Sequence, residues 1–410
     1  MYKLVTQCRL CDTELPPPIL RLNDQPAANN LCETADEAVV APRFPLAITR
    51  CPTCTSVQLT ASVDPEYLYG QYAYVPTGAV FDQHWRDLAA WCTTGPPGFA
   101  VEIGSNRGDL LKALKDLGWD VLGVEPAKNL AAVANERGLP TMQAFFNEQV
   151  GDRIALGLTT TRDTPSRADL VLATNVFAHV DDLRSVVRGI RNVLSVGGRF
   201  VFEVASLAAD LAQGTFDRVL YAEHHFSHSV TPLVRLFETH GMCVRQVSDH
   251  PIHGGSLRVV VEHGRDHDRD ALARVRAEQL PDGVATAEAL VAFADQARGR
   301  IDRLRAVIHG YRREGAVVVG FTAPAKASVV INACEFSQDD IAWVADDNPL
   351  KVGKFIPGAG IPIVPCSALD ESQPDVVVLF AWNLATSLLP RLPKGFRVLI
   401  PFPEPHEVLI

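Results

Sequence analysis

The chain has no uninterrupted apolar run approaching the roughly 20 residues that a membrane-crossing helix needs. Its start, Met1-Tyr-Lys-Leu-Val-Thr-Gln-Cys, lacks the long apolar core of a secretory leader. No membrane partner is therefore expected, and the chain is expected in the cytoplasm, where its cysteines stay reduced. Positive charge is scarce as well: 38 Lys and Arg stand against 48 Asp and Glu, a net charge of -10. Neutralising nucleic-acid phosphates needs clustered basic residues, and no local run supplies them, so nucleic acid is not an expected partner. Short-period repeats and low-complexity tracts are absent too. What remains, 47% hydrophobic and 21% charged residues in 410, is the composition of an ordinary globular protein long enough for two or three domains.

The nine cysteines are unevenly spread. Cys32, Cys92, Cys243, Cys334 and Cys366 are isolated and read as small core residues. The other four form two pairs, Cys8-Arg-Leu-Cys11 and Cys51-Pro-Thr-Cys54, 39 residues apart. Two such knuckles present four thiolates, the tetrahedral sulfur cage that zinc prefers. A site closed by four thiolates leaves no position for water, so the metal's role is structural.

Coarse periodicity divides the chain into a zinc-binding module (1–65), a linker and helix (66–94), an α/β domain (95–265), a bridging helical segment (266–310) and a smaller α/β unit (311–410). Phe99–Ile103, Val121–Val124, Leu170–Ala173 and Arg199–Val204 read as strands alternating with helices, the pattern of a doubly wound sheet. Met242–Val247 and Leu257–Val261 read as a terminal antiparallel pair.

After the first of these strands comes Val101-Glu-Ile-Gly104-Ser-Asn-Arg-Gly108, an E-x-G-x-x-x-G turn of the class I methyltransferase kind, whose glycines let the backbone approach a ligand. Glu125, 21 residues after Gly104, ends the second strand, where a carboxylate accepts both hydroxyls of a ribose. Phe145 and Phe146 are candidates to flank an adenine or to fill the core. The densest chemistry lies in Tyr221-Ala-Glu223-His224-His225-Phe-Ser-His228. Removing a proton next to a ketone needs a base, and the resulting enolate needs donors; this segment offers both. A transition-metal site and a structural histidine group are the competing readings of it. His179 follows the third of those strands and faces the same side of the sheet.

These residues, together with Pro45-Leu, Val57-Gln-Leu, Tyr72-Ala-Tyr74, His253-Gly-Gly-Ser-Leu-Arg258, Asp347-Asn-Pro-Leu-Lys351-Val-Gly and Phe380-Ala-Trp382-Asn383, occur in an order that resembles the sugar C-methyltransferases of antibiotic deoxysugar pathways over nearly the whole chain. The resemblance implies a zinc-binding amino-terminal module, a class I methyltransferase domain and a smaller Rossmann-like α/β domain. It implies S-adenosylmethionine and structural Zn2+ as cofactors and a small-molecule nucleotide-sugar as substrate, handled by a monomer. It places catalysis on Tyr221, Glu223 and His224, with Tyr74 and His179 beside them. His224 is then the base, Glu223 orients or charge-balances its imidazole, and C3 of a 4-keto sugar is the carbon methylated. The cofactor-binding set expected is Glu102, Gly104, Asn106, Gly108, Glu125, Phe145 and Asn175; His225, Arg258, Lys326 and Asn383 are expected on the substrate side. The chain departs from the family at Arg107, where Asp is usual, and at Thr322 and Ala327, where glycines are usual. An epimerase forming the same enolate, a zinc hydrolase and a non-catalytic binding protein are the rival functions.

Overall fold

The computed structural model describes residues 1–410 except 71, 73, 74, 76, 77, 94, 159–166 and 282. Its largest sheet has seven strands in the order Met242–His250, Ser256–His263, Leu194–Ala205, Ala168–Thr174, Phe99–Ile103, Asp120–Glu125, Thr141–Gln143. Only Ser256–His263 runs against its neighbours. The central strand Phe99–Ile103 is buried along its whole length, because helices cover both faces of a parallel sheet. One face packs Phe177, Phe200, Phe202 and Phe237 against each other; the other receives Trp85 and Leu88 of helix Ala79–Cys92. This is the class I methyltransferase fold that the alternating pattern anticipates, with the terminal antiparallel pair where it was expected. The short strand Thr141–Gln143 had no periodicity to announce it.

The amino-terminal region forms a two-stranded sheet, Tyr2–Leu4 with Ala61–Val63, and a four-stranded sheet in the order Phe226–Ser227, Val57–Leu59, Ala47–Arg50, Leu20–Arg21. Its edge strand Phe226–Ser227 comes from far along the chain, directly after the histidine cluster. Beyond residue 263, helix Ala287–Arg313, capped by Thr286, leads into a six-stranded sheet. Its strands are Ile363–Val364, Val344–Ala345, Val318–Phe321, Val376–Leu379, Arg397–Ile400 and the antiparallel His406–Leu409. One apolar cluster joins Leu46 and Leu59 of the amino-terminal sheet, Phe216, Leu304 of the long helix and Phe380. Among the described residues, no helix is long and apolar enough to cross a membrane.

Candidate active site and metal centre

A cavity of about 980 Å³ opens at the carboxyl ends of the central strands of the seven-stranded sheet, bounded by the amino-terminal strand on one side and by Lys326 and Asn383 on the other. Glu102, Gly104, Asn106, Glu125, Phe145 and Asn175 all line it. Gly104 has φ +67°, and a Cβ there would sit 2.4 Å from Val176 Cγ2, so no other residue fits this approach to the cavity. Gly108 also has a left-handed backbone (φ +83°), but a Cβ would meet Leu139 Cδ1 at 2.6 Å. It packs the turn against the sheet and does not border the cavity, contrary to the expectation that it contacts cofactor.

Glu125 is fixed by two backbone donors: Asn106 N–H to Oε2 at 2.8 Å and Ala127 N–H to Oε1 at 2.9 Å. Each oxygen keeps a lone pair for a hydroxyl. Burial raises its carboxyl above the ordinary range, and burial together with Asp109 and Glu125 raises Glu102 further. A cationic ligand relieves this, so the end of the cavity suits S-adenosylmethionine, with its sulfonium and ammonium charges. Arg107 pairs with Asp109 at 2.7 Å and stays out of the cavity.

The histidine cluster meets this end from above. His224 Nδ1 lies 2.9 Å from Arg218 O. A carbonyl only accepts, so Nδ1 carries the proton and Nε2 has the lone pair, which the Tyr221 hydroxyl contacts. Burial, then the neighbouring His179, holds His224 well below the usual histidine range, so it is neutral. The rings of His179 and His224 are 4.7 Å apart, edge to face. Tyr69 donates to Glu223 O at 3.2 Å and accepts from His179 Nδ1 at 3.0 Å, and burial lowers His179 to about 4. Tyr69 was not singled out in the sequence, although it lies close to the Tyr72-Ala-Tyr74 stretch on which the resemblance placed Tyr74. Tyr74 itself lies outside the described residues.

Two residues are placed differently from their expected surroundings. Glu223 makes no hydrogen bond to the His224 imidazole, whose partners are Tyr221 and Arg218: its Oε1 accepts from Asn29 N–H at 3.0 Å and from Asn29 Nδ2 at 3.3 Å. Arg258, expected on the substrate side, does not border the cavity. It sits opposite Glu203 in the sheet register, bonds that carboxylate at 2.7 Å and covers the Trp91 ring at 4.9 Å. His225 borders the cavity from the amino-terminal side, lowered to about 3 by burial and by Arg9.

At the far end, Lys326 donates to Asn383 Oδ1 and lies 5.1 Å from the Trp382 ring centroid. Burial lowers its ammonium to about 8. Asp217 and Arg218, not singled out in the sequence, complete this end with His253, which entered there only as the start of a motif. Thr322 has a left-handed backbone (φ +67°), and its hydroxyl accepts from Ala381 N–H at 2.9 Å.

Cys8, Cys11, Cys51 and Cys54 converge, with all four sulfurs within 4.8 Å of one another. Leu10 N–H and Gln58 Nε2 donate to Cys8 Sγ, and Cys54 N–H donates to Cys51 Sγ. Such donors stabilise thiolates, and four sulfurs fit zinc.

Family models match three consecutive parts of the chain: a zinc-binding domain over residues 8–69, a methyltransferase domain over 101–200 and a C-methyltransferase C-terminal domain over 251–403. The chain is similar to the C-methyltransferase NovU of Streptomyces niveus, with 34% identity over 418 residues, 98% of this chain and 97% of that one. A shorter likeness, 30% over 173 residues, links it to the ubiquinone biosynthesis O-methyltransferase of Methylobacterium sp. (strain 4-46), covering 38% of this chain and 64% of the relative. Among solved structures, the magnesium protoporphyrin IX methyltransferase ChlM from Synechocystis PCC 6803 with bound SAM is similar at 12% identity and a TM-score of 0.33, covering 47% of this chain and 86% of that one.

Proposed function

The chain belongs to the C-methyltransferase family, and on that premise we propose that it methylates the carbon next to the ketone of a nucleotide-linked deoxysugar, or a related keto-sugar, through an enolate. S-adenosylmethionine supplies the electrophilic methyl group. The observation that carries the reading is the neutral His224, with its Nε2 lone pair facing the same cavity as the cofactor turn.

His224 Nε2 takes the proton from the carbon beside the ketone, and the Arg218 carbonyl, already bonded to Nδ1–H, stabilises the imidazolium that forms. The Tyr221 hydroxyl, released from Nε2 as substrate enters, donates to the ketone oxygen where negative charge develops. His179, fixed by Tyr69, holds a neighbouring hydroxyl, while Lys326 and Asn383 orient the far end of the substrate.

The test is incubation with methyl-13C-labelled S-adenosylmethionine and thymidine diphosphate-4-keto-6-deoxyglucose, with the product read by NMR. Label on a ring carbon next to the ketone is the expected result. Label on an oxygen, or solvent exchange of the ring proton without any uptake of label, would contradict the proposal.

A further inference from the structure

Three separate contacts tie the 221–228 segment to the amino-terminal module. Asn29 holds Glu223, Leu59 N–H donates to His225 O at 2.9 Å, and the strand Phe226–Ser227 pairs with Val57–Leu59. A fourth tie, to the loop that carries His179, begins inside the zinc knuckle itself. Arg9, between ligands Cys8 and Cys11, is buried, and its Nε donates to Asp181 Oδ1 at 2.7 Å. Asp181 is two residues beyond His179. The rest of the guanidinium is equally committed, with Nη1 on Leu59 O at 2.6 Å and Nη2 on Ser62 Oγ at 2.8 Å. Gln58 closes the chain of contacts: its Oε1 accepts from Arg9 N–H at 3.1 Å while its Nε2 donates to Cys8 Sγ at 3.2 Å. A continuous path of directed bonds thus runs from a zinc thiolate to the loop that carries His179.

We propose that Arg9 is a positioning residue through which the zinc knuckle sets the geometry of the His179–His224 pair. Metal occupancy is then felt in the catalytic loops, and not only in the folding of the amino-terminal module. The Asp181 carboxylate is suited to this. Burial by itself raises its pKa, but bonds from Arg9, Lys3 and Ser62 outweigh that and hold it well below the usual range, so it stays charged and paired. Among the described residues no hydrogen bond joins the segment 101–125 to the amino-terminal module; its strands pair within the seven-stranded sheet. The inference rests on the proposed base assignment for its catalytic consequence, but its geometric consequence is independent of it.

The experiment uses the full zinc-loaded chain and the variants Arg9→Gln, Arg9→Lys and Asp181→Asn, with zinc content measured in each. Amide hydrogen exchange is followed by mass spectrometry over 177–182, 221–228 and 101–125, and turnover is measured on thymidine diphosphate-4-keto-6-deoxyglucose. Arg9→Gln is expected to keep its zinc and to lose protection in the first two segments but not in the third. kcat should fall about 10–100-fold, the effect of a small misplacement of reacting groups, with S-adenosylmethionine affinity within about twofold of wild type. Arg9→Lys, which still pairs with Asp181, should recover part of the loss. Should Arg9→Gln fail to fold, Asp181→Asn carries the same expectations from outside the module. Zinc-loaded variants with wild-type protection in both loops and wild-type kcat would overturn the proposal. Lost loop protection in a protein whose wild type does not turn over the sugar would support the coupling and count against the proposed substrate.

Discussion

At His224 a backbone carbonyl decides the chemistry, since donation from Nδ1–H to Arg218 O leaves the lone pair on Nε2. Burial keeps the ring neutral below the ordinary histidine value of 6.5. The sign follows: the base form persists as pH falls through 6.5, so the acid limb of the kcat–pH profile should lie below that value, and a limb at or above 6.5 would contradict the assignment. Glu125 is the corresponding residue for the cofactor. Glu125→Ala removes a charge-assisted contact, which should weaken S-adenosylmethionine binding by about 1.5–3 kcal/mol in titration calorimetry. The histidine cluster and Glu125 were legible because each stands in a dense motif or at a strand end. The partners of Glu223 and Arg258 were not legible because motif membership does not reveal side-chain direction. One faces Asn29 and the other pairs with Glu203 across the sheet.

Elements were read well where burial forced a long apolar run, as in Phe99–Ile103, and poorly where pairing partners are distant in the chain, as in Phe226–Ser227. Two residues carry no periodicity, yet this strand anchors the histidine segment. The cofactor turn shows a similar limit, because a glycine looks the same whether it faces ligand or packing. Gly108→Ala should destabilise the protein by about 1–3 kcal/mol through strain at φ +83° and the Leu139 clash, measured by denaturant unfolding. If it folds, its S-adenosylmethionine affinity should match wild type, since the residue does not border the cavity. Cys51→Ser should release the zinc, detected by elemental analysis, and lower the stability of the module that the four sulfurs close.

Across the whole molecule, several histidines are buried in the neutral form: His179, His228 and His253 are lowered to about 4 and His225 to about 3, in each case chiefly by burial. The unfolded chain binds protons at these sites from about pH 6.5 downward while the folded one does not, so stability is full above 6.5 and falls as pH drops toward 4. Calorimetric melting across that range should show Tm declining steadily. The order of modules was legible because each has its own signature, whereas the joining of their cores around helix Ala287–Arg313 was not, since contacts between modules leave no local pattern. The central claim, that this architecture brings a neutral histidine base and a methyl donor to one keto-sugar carbon, is tested most directly by solvent deuterium exchange. Thymidine diphosphate-4-keto-6-deoxyglucose would be incubated in D2O with S-adenosylhomocysteine in place of the methyl donor. The account predicts exchange at a carbon next to the ketone with wild type, slowed about 10²–10⁴-fold in His224→Ala with cofactor affinity retained. Exchange at the wild-type rate in His224→Ala, with loss in His225→Ala or His179→Ala instead, would contradict it.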